Sequence, residues 1–167
     1  PGCGMAAYRR KLQVVEFPCM VPPPVPPVPK EEGNRRVRCA FVGTLYPVLR
    51  TPHYALELFR CMNDPDLELV FAGDGWQHYA STLPDSCRRV MGDRLQILGQ
   101  IPFAQAQEEI AKADVLINLG NRENSQLPSK IFEIFSSGKP VLNLAKRPDD
   151  VSLPYFERYP LACTVLE

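Results

Sequence analysis

The 167-residue chain lacks several features that would assign it to a particular class of protein. Its formal net charge is +0, so the charge balance does not point to a nucleic acid or a membrane surface as a partner. No apolar run approaches the roughly 18 residues of a membrane-spanning helix. The six cysteines include no C-x-x-C pair, which fits reduced thiols better than a disulfide framework or a zinc site. We therefore expect a cytoplasmic protein without a spanning segment.

The sequence contains one metal-binding motif, which lies away from the edge where ligands bind, and its histidines lack further metal ligands at suitable spacing. Asp64 and Asp66 match a D-x-D motif, but they precede a predicted strand and fall in a turn, away from the edge where ligands bind. His53 and His78 have no carboxylate or cysteine at metal-ligand spacing. His53, close to a predicted helix start, is left as an alternative ligand contact. The sequence predicts no metal site.

Two classes of α/β protein require motifs that this chain does not have. A dinucleotide-binding dehydrogenase domain needs G-x-G-x-x-G directly after the first strand. A phosphorylation-controlled receiver needs an acidic pair at the same point, where this chain has VGTLYP. We set the dehydrogenase aside and keep a receiver-like signalling module as the less favoured alternative.

The chain has enough apolar residues for one core, and its prolines are unevenly distributed. Hydrophobic residues make up 45% and charged residues 23%, as in a soluble globular protein, and 167 residues can bury one core of ordinary size. Seven prolines lie within residues 18–29, which favours an extended polyproline II spacer, with an SH3-type ligand as the alternative. We interpret 18–33 as a linker and 34–167 as one domain.

From residue 36 onward, strand and helix patterns alternate. This order predicts a Rossmann-like parallel sheet with helices on both faces, in which ligands bind at the carboxyl ends of the strands. The predicted strands cover 37–45, 67–72, 95–98, 115–117, 141–144 and 162–166, and the predicted helices cover 51–62, 76–91 with an interruption near Pro84, 103–113 and 128–137.

The most informative stretch is DVLINLGNRENSQLPSKIFEIFSSGKPVLNL, residues 114–144. A buried strand, a polar loop, a helix beginning at Pro128 and a second strand form a βαβ unit. On that helix Lys130 and Glu133 share a polar stripe. Helix-start amides and a lysine suit phosphate, and the carboxylate suits hydroxyls, so a nucleoside diphosphate fits the pattern. A solvated ion pair between Lys130 and Glu133 is the alternative that the pattern leaves open.

Within this stretch, PSKIFEIFSSGKPVL resembles the donor-site helix of the family 4 (group 1) glycosyltransferases. Members often carry P-S-K-I-F-E-Y followed by G-K-P-V, and Glu133 matches the glutamate that hydrogen-bonds the donor's ribose. The family's other site glutamate falls eight residues earlier, where this chain has Ser125, with Glu123 two positions upstream. The resemblance spans 36–144 and implies the donor-side half of a GT-B type enzyme, in which two Rossmann-like domains face each other across a cleft.

The same resemblance implies a set of donor-site residues at the strand ends. Arg50, Lys130 and Ser125 form the predicted catalytic group, which would stabilise the leaving diphosphate in a retaining, metal-independent transfer. The family has an arginine where Thr44 stands, and Arg50 lies one residue beyond the family's usual lysine. The other predicted donor contacts are Gly43, Thr44, Gln100, Ile101, Asn124, Gln126, Leu127, Ser129 and Glu133.

The resemblance also implies what accompanies this domain. Residues 1–17 would be the remnant of an N-terminal acceptor-side domain, joined through the linker at 18–33. A nucleotide diphosphate sugar is the expected substrate, with no further cofactor, and the missing acceptor-binding domain is the expected partner. We therefore expect a fragment without activity of its own. Ser125 and Thr44 keep a non-catalytic nucleotide-binding domain as an alternative.

Overall fold

The computed structural model describes residues 36–82, 85–123 and 126–167. The predicted remnant at 1–17 and linker at 18–33 lie outside these ranges, as do the predicted site residues Asn124 and Ser125. Inside them, strands and helices alternate along the chain. The strands are β1 Val37–Val42, β2 Leu67–Ala72, β3 Leu95–Gly99, β4 Val115–Leu119, β5 Val141–Ala145 and β6 Ala162–Leu166, and the helices are α1 His53–Met62, α2 Asp85–Met91, α3 Phe103–Lys112, α4 Lys130–Ser136 and α5 Leu153–Arg158.

These strands form one parallel sheet in the order β3-β2-β1-β4-β5-β6. β1 therefore pairs with β2 on one side and with β4 on the other. Parallel neighbours need crossover connections, and a helix lies in every connection between successive strands. The predicted Rossmann-like fold is confirmed.

Buried side chains cover both faces of the sheet. Phe41 of β1 and Leu56 of α1 belong to one buried cluster, which also includes residues of α2. Val70 of β2 and Ile131 of α4 belong to the other, which also includes residues of α3 and α5. Consecutive strand residues point to opposite faces, so each central strand contributes to both clusters. Full burial of one such side chain stabilises the fold by about 1.5–3 kcal/mol, so the two clusters hold the carboxyl edge of the sheet in place.

Several boundaries differ from the sequence-based prediction. β1 ends at Val42 and does not reach residue 45, because residues 46 and 50 pair with each other instead. The helix predicted to begin at Pro128 begins at Lys130, since its first turn is of the tighter 3-10 type, with the Ile131 N–H donating to the Pro128 carbonyl at 3.2 Å.

Two other helical segments also differ. Within the segment 76–91, predicted as one interrupted helix, the described residues include a 3-10 turn at Trp76–His78 and the separate helix α2. Gly75, at φ 90°, immediately precedes that turn. Helix α5 was not predicted, because its six residues are too few to show a helical period.

The loops that follow β1 and β2 pack backbone against backbone at the carboxyl edge. The Leu45 N–H donates to the Asp74 carbonyl at 2.9 Å. A Cβ on Gly75 would lie 2.0 Å from the Leu45 carbonyl oxygen, and one on Gly73 would lie 1.9 Å from that of Gly43. Both turn glycines have positive φ. The packing therefore fixes the start of the loop between β1 and α1.

Gly75→Ala should destabilise the fold, because the added Cβ must displace the Leu45 carbonyl and the residue must keep a φ of 90°. We expect the free energy of unfolding, measured by urea denaturation, to fall by about 2–3 kcal/mol. Gly92→Ala is the matched control: its φ is also positive, but nothing lies within 4 Å of an added Cβ, so a loss of about 1 kcal/mol is expected. Equal losses would show that the contact with Leu45 contributes nothing.

Candidate functional site

The strand order reverses between β1 and β4, which opens a crevice at the carboxyl edge of the sheet. Residues 43–52 form its β1 side, and residues 120–123 with 126–129 form its β4 side. The two sides are joined directly, because the Arg122 N–H donates to the Leu49 carbonyl at 2.8 Å. Ligands bind at such a reversal in sheets of this kind, so this junction is the candidate site.

The β1 loop folds back on itself in a tight hairpin that carries Arg50. The Tyr46 N–H donates to the Arg50 carbonyl at 3.0 Å, and the Arg50 N–H donates to the Tyr46 carbonyl at 2.9 Å. At the tip, the Leu49 N–H donates to the Pro47 carbonyl at 2.8 Å, across Val48 with a φ of 67°. A γ-turn with positive φ is rare, and such a residue costs about 1–3 kcal/mol. The hairpin therefore holds Arg50 in one position despite strain at its tip.

Arg50 is half-buried and directs its guanidinium towards the β4 loop. Its Nε donates to Oδ1 of Asn121 at 3.0 Å, and its Nη1 donates to the Thr44 carbonyl at a longer 3.4 Å. Its Cζ lies 5.9 Å from the centroid of the Tyr46 ring, within the range of a cation–π interaction. Burial lowers the pKa of Arg50, while Tyr46 and Asp150 act to raise it. The guanidinium stays charged.

Glu133 bridges α4 to α3. Lys130 Nζ lies 2.7 Å from its Oε2, and Gln107 Nε2 of α3 donates to its Oε1 at 2.5 Å. The pair with Lys130 that the pattern left open is therefore present and partly shielded, since the side chains of Lys130 and Glu133 are 33% and 17% exposed. Each carboxylate oxygen can accept a second hydrogen bond, so a ligand hydroxyl could be added without displacing either partner.

The other predicted residues fall at three strand ends of the same edge. Ile101 and Leu127 are half-buried and pack against the buried cluster under α3 and α4. The rest are half-buried or exposed. They are Gly43 and Thr44 after β1, Gln100 after β3, and Gln126 and Ser129 before α4.

Three side chains at this edge were not predicted as site residues. Asn121 is 5% exposed and accepts the Arg50 hydrogen bond. Lys146 is 13% exposed, donates to Thr51 Oγ1 at 3.0 Å and lies 3.2 Å from a Glu167 carboxylate oxygen. The third side chain is Gln107, which belongs to this set because it donates a hydrogen bond to Glu133. Asn121 and Lys146 come soon after β4 and β5, so the rule that ligand groups follow parallel strands could have selected them. No sequence signal places Gln107 beside Glu133.

The described ranges contain no group of three or more His, Cys, Asp or Glu residues placed to hold a metal ion. None of the helices in the same ranges is both long and apolar enough to cross a membrane. The edge instead offers a guanidinium, lysine ammonium groups, a carboxylate and side-chain amides. Such a set can bind an anion through charge-assisted hydrogen bonds, with hydroxyls of the same ligand on the carboxylate.

The sequence matches no protein-family model and no curated protein. The structure is similar to that of HepE from Anabaena in complex with UDP and glucose, with a TM-score of 0.64 and 18% identity over 80% of this chain and 36% of HepE. It is similar to a K341M mutant of the Thermobaculum terrenum O-GlcNAc transferase, with a TM-score of 0.53 and 19% identity over 87% of this chain and 28% of that one. It is also similar to the E. coli heptosyltransferase WaaC with ADP, with a TM-score of 0.51 and 9% identity over 80% of this chain and 39% of WaaC.

The chain thus spans between 28% and 39% of the length of these three structures. At such low identities the likeness establishes the fold and leaves the activity to be argued from the site. The chain has the Rossmann-like fold of one domain of the GT-B glycosyltransferases.

Proposed function

We propose that this chain is the donor-binding half of a glycosyltransferase of the family 4 (group 1) type. The reaction is transfer of a sugar from a nucleoside diphosphate sugar to an acceptor, with retention at the anomeric carbon and without a metal. The observation that carries the proposal is the charged, half-buried Arg50 at the strand-order reversal. Solved structures of the same fold include complexes with UDP and with ADP, and a guanidinium suits a diphosphate group.

Transfer leaves negative charge on the departing diphosphate, and stabilising that charge is the main task of the site. Arg50 reaches the crevice from the β1 side, and Lys130 lies at the start of α4 on the β4 side. Backbone amides and the Ser125 hydroxyl of the β4 loop complete the proposed group. Because Arg50 and Lys130 are held by hydrogen bonds and an ion pair before the ligand arrives, these two groups need little rearrangement as the charge develops.

Glu133 would bind the ribose. An ionised carboxylate that accepts from two vicinal hydroxyls forms charge-assisted bonds worth about 1.5–3 kcal/mol each. Lys130 and Gln107 fix both carboxylate oxygens in advance, so little side-chain entropy is lost on binding. The carboxylate is thereby oriented in the ligand-free protein.

A non-catalytic nucleotide-binding domain is the second candidate. Thr44 stands where the resembled family has a basic residue, and Ser125 stands where it has a glutamate. Either replacement removes a group that would act on the sugar or the diphosphate, but neither touches Glu133. Both candidates predict nucleotide binding, and they differ in whether a protein that includes the acceptor-side domain transfers sugar.

Nucleotide binding is tested first, by thermal-shift screening of UDP-, GDP-, ADP- and TDP-sugars and the free nucleotides. With the best nucleotide, Glu133→Gln should weaken binding by about tenfold or more in calorimetry, because one decade of affinity corresponds to ~1.4 kcal/mol. The neutral amide keeps the shape of the side chain but loses the charge that strengthens its bonds to hydroxyls.

Glu108→Gln on α3 is the matched control for this variant. Glu108 is an exposed glutamate whose only described ion pair is a long one to Lys112 at 3.9 Å, so its replacement should leave nucleotide affinity unchanged. Urea denaturation of both variants separates binding from folding, since Glu133 also holds Gln107. Unchanged affinity in Glu133→Gln would remove Glu133 from the site, and a lack of any nucleotide binding would overturn the proposed function.

The 167-residue chain should bind a donor without transferring sugar. It spans about a third of HepE, and in the resembled family the acceptor site lies mainly on the other domain. The measurement is release of nucleoside diphosphate from the best donor, with and without a panel of sugar and lipid acceptors. Sustained, acceptor-dependent release by the purified chain would contradict the assignment as a donor-binding half.

A further inference from the structure

Arg50 differs from the buried Arg94 and the half-buried Arg38 in the partners of its guanidinium group. Arg38 is paired with two carboxylates, Glu68 at 2.8 Å and Glu109 at 2.6 Å. Arg94 is 8% exposed and has no carboxylate partner among the described residues, but it donates three short hydrogen bonds. Its three acceptors are the Asp64 carbonyl at 2.6 Å, the Val90 carbonyl at 2.7 Å and Asn63 Oδ1 at 2.8 Å.

The guanidinium of Arg50 has neither a carboxylate partner nor a full set of hydrogen-bond acceptors among the described residues. In the part of the chain that the structure describes, no carboxylate oxygen lies within 4.0 Å of its guanidinium. Among the described residues, its side-chain hydrogen bonds are the one from Nε to Asn121 at 3.0 Å and the long one from Nη1 to the Thr44 carbonyl at 3.4 Å. A guanidinium carries five N–H donors, so the outer nitrogens of Arg50 keep donors for a further partner.

The side chain that orients Arg50 is a neutral amide in a rigid position. Asn121 is 5% exposed and follows Gly120, where an added Cβ would lie 2.9 Å from the backbone nitrogen of Lys146. An aspartate has nearly the same shape as Asn121 and could accept the same hydrogen bond from Arg50. It would also neutralise the guanidinium, which the asparagine does not do.

Asp150, the carboxylate with an electrostatic effect on Arg50, is engaged elsewhere. Its Oδ1 accepts from the Ser152 N–H at 2.8 Å and from the Ser152 hydroxyl at 2.7 Å, at the start of α5. This carboxylate therefore holds the turn before α5 and forms no ion pair with Arg50.

We propose that Asn121 is a positioning residue that orients Arg50 and leaves its positive charge uncompensated, so that the diphosphate of the donor becomes its counter-ion. The inference rests on the proposed function and deepens it, by naming the group that prepares the diphosphate subsite. A half-buried cation without a partner is unfavourable in the ligand-free protein, and an arriving diphosphate removes that penalty. The same feature selects for phosphorylated ligands over neutral nucleosides.

Asn121→Asp is the decisive variant, with pyrophosphate, UDP and ADP as probes in calorimetry. Affinity for pyrophosphate should fall by about tenfold or more, because the new carboxylate takes the place of the ligand as counter-ion. The thermal midpoint of the ligand-free variant should be equal to or above that of the wild type, because an ion pair replaces a neutral contact. Pyrophosphate binding should also depend less on salt. A merely structural role of Asn121 predicts that stability and affinity fall together.

Asn121→Ala keeps the proposal testable if the aspartate variant folds poorly. It removes the orienting amide without adding charge, so pyrophosphate affinity should fall by about threefold to tenfold. The same change made in an Arg50→Gln background should have no effect on affinity, because Asn121 acts only through Arg50. Gln105→Glu, on the exposed surface of α3, is the charge control and should leave pyrophosphate binding unchanged.

The outcomes separate this inference from the function on which it rests. If the wild type binds UDP or ADP but Asn121→Asp and Asn121→Ala bind pyrophosphate as the wild type does, the positioning role is wrong and the donor site stands. If the wild type binds pyrophosphate through Arg50 but gains nothing from a nucleoside, the anion subsite stands and the donor site is wrong. If the wild type binds none of the three probes, both are overturned.

Discussion

Parallel pairing of β1 with both β2 and β4 is the constraint on which the rest of this structure depends. Because neighbouring strands are parallel, each connection must return across a face of the sheet, and helices then cover both faces. All the carboxyl ends lie along one edge, where the loops after β1 and β4 meet. Arg50 and Asn121 are 71 residues apart in the chain, yet this topology places Arg50 Nε 3.0 Å from Asn121 Oδ1.

The two ends of the sheet differ in the ion pairing of their arginines and in the strain of their backbone. Near the amino ends, Arg38 is surrounded by carboxylates, and its hydrogen bonds, with those of Lys112, hold the pKa of Glu109 below its usual range although burial acts to raise it. At the carboxyl edge, Val48 has a strained positive φ and Arg50 has no carboxylate partner within the described residues. Unfavourable local features of this kind concentrate where a protein binds ligands, because a site optimised for stability alone would have no capacity left for a partner.

Much of the fold could be predicted from residue patterns. The mainly apolar segments Leu67–Ala72 and Val115–Leu119 are buried on both faces, and such segments indicate central parallel strands. Gly138, at φ 68°, follows α4 where the sequence predicted the helix to stop. The failures were local: α5 is too short to have a readable period, and Trp76–His78 form a 3-10 turn where the sequence predicted an α-helix.

The sequence by itself determined the alternation of strands and helices and the Lys130–Glu133 pair, because each follows from spacing along a single segment. Only the tertiary structure decided that Gln107 holds Glu133 and that Asn121 holds Arg50. These contacts join segments that are distant in sequence, and their partners are set by how α3 packs beside α4 and how the β1 loop turns towards β4. The burial of Arg50, and its lack of a carboxylate partner among the described residues, are likewise properties of the assembled crevice, since a residue's surroundings are fixed by neighbours that its own segment does not specify.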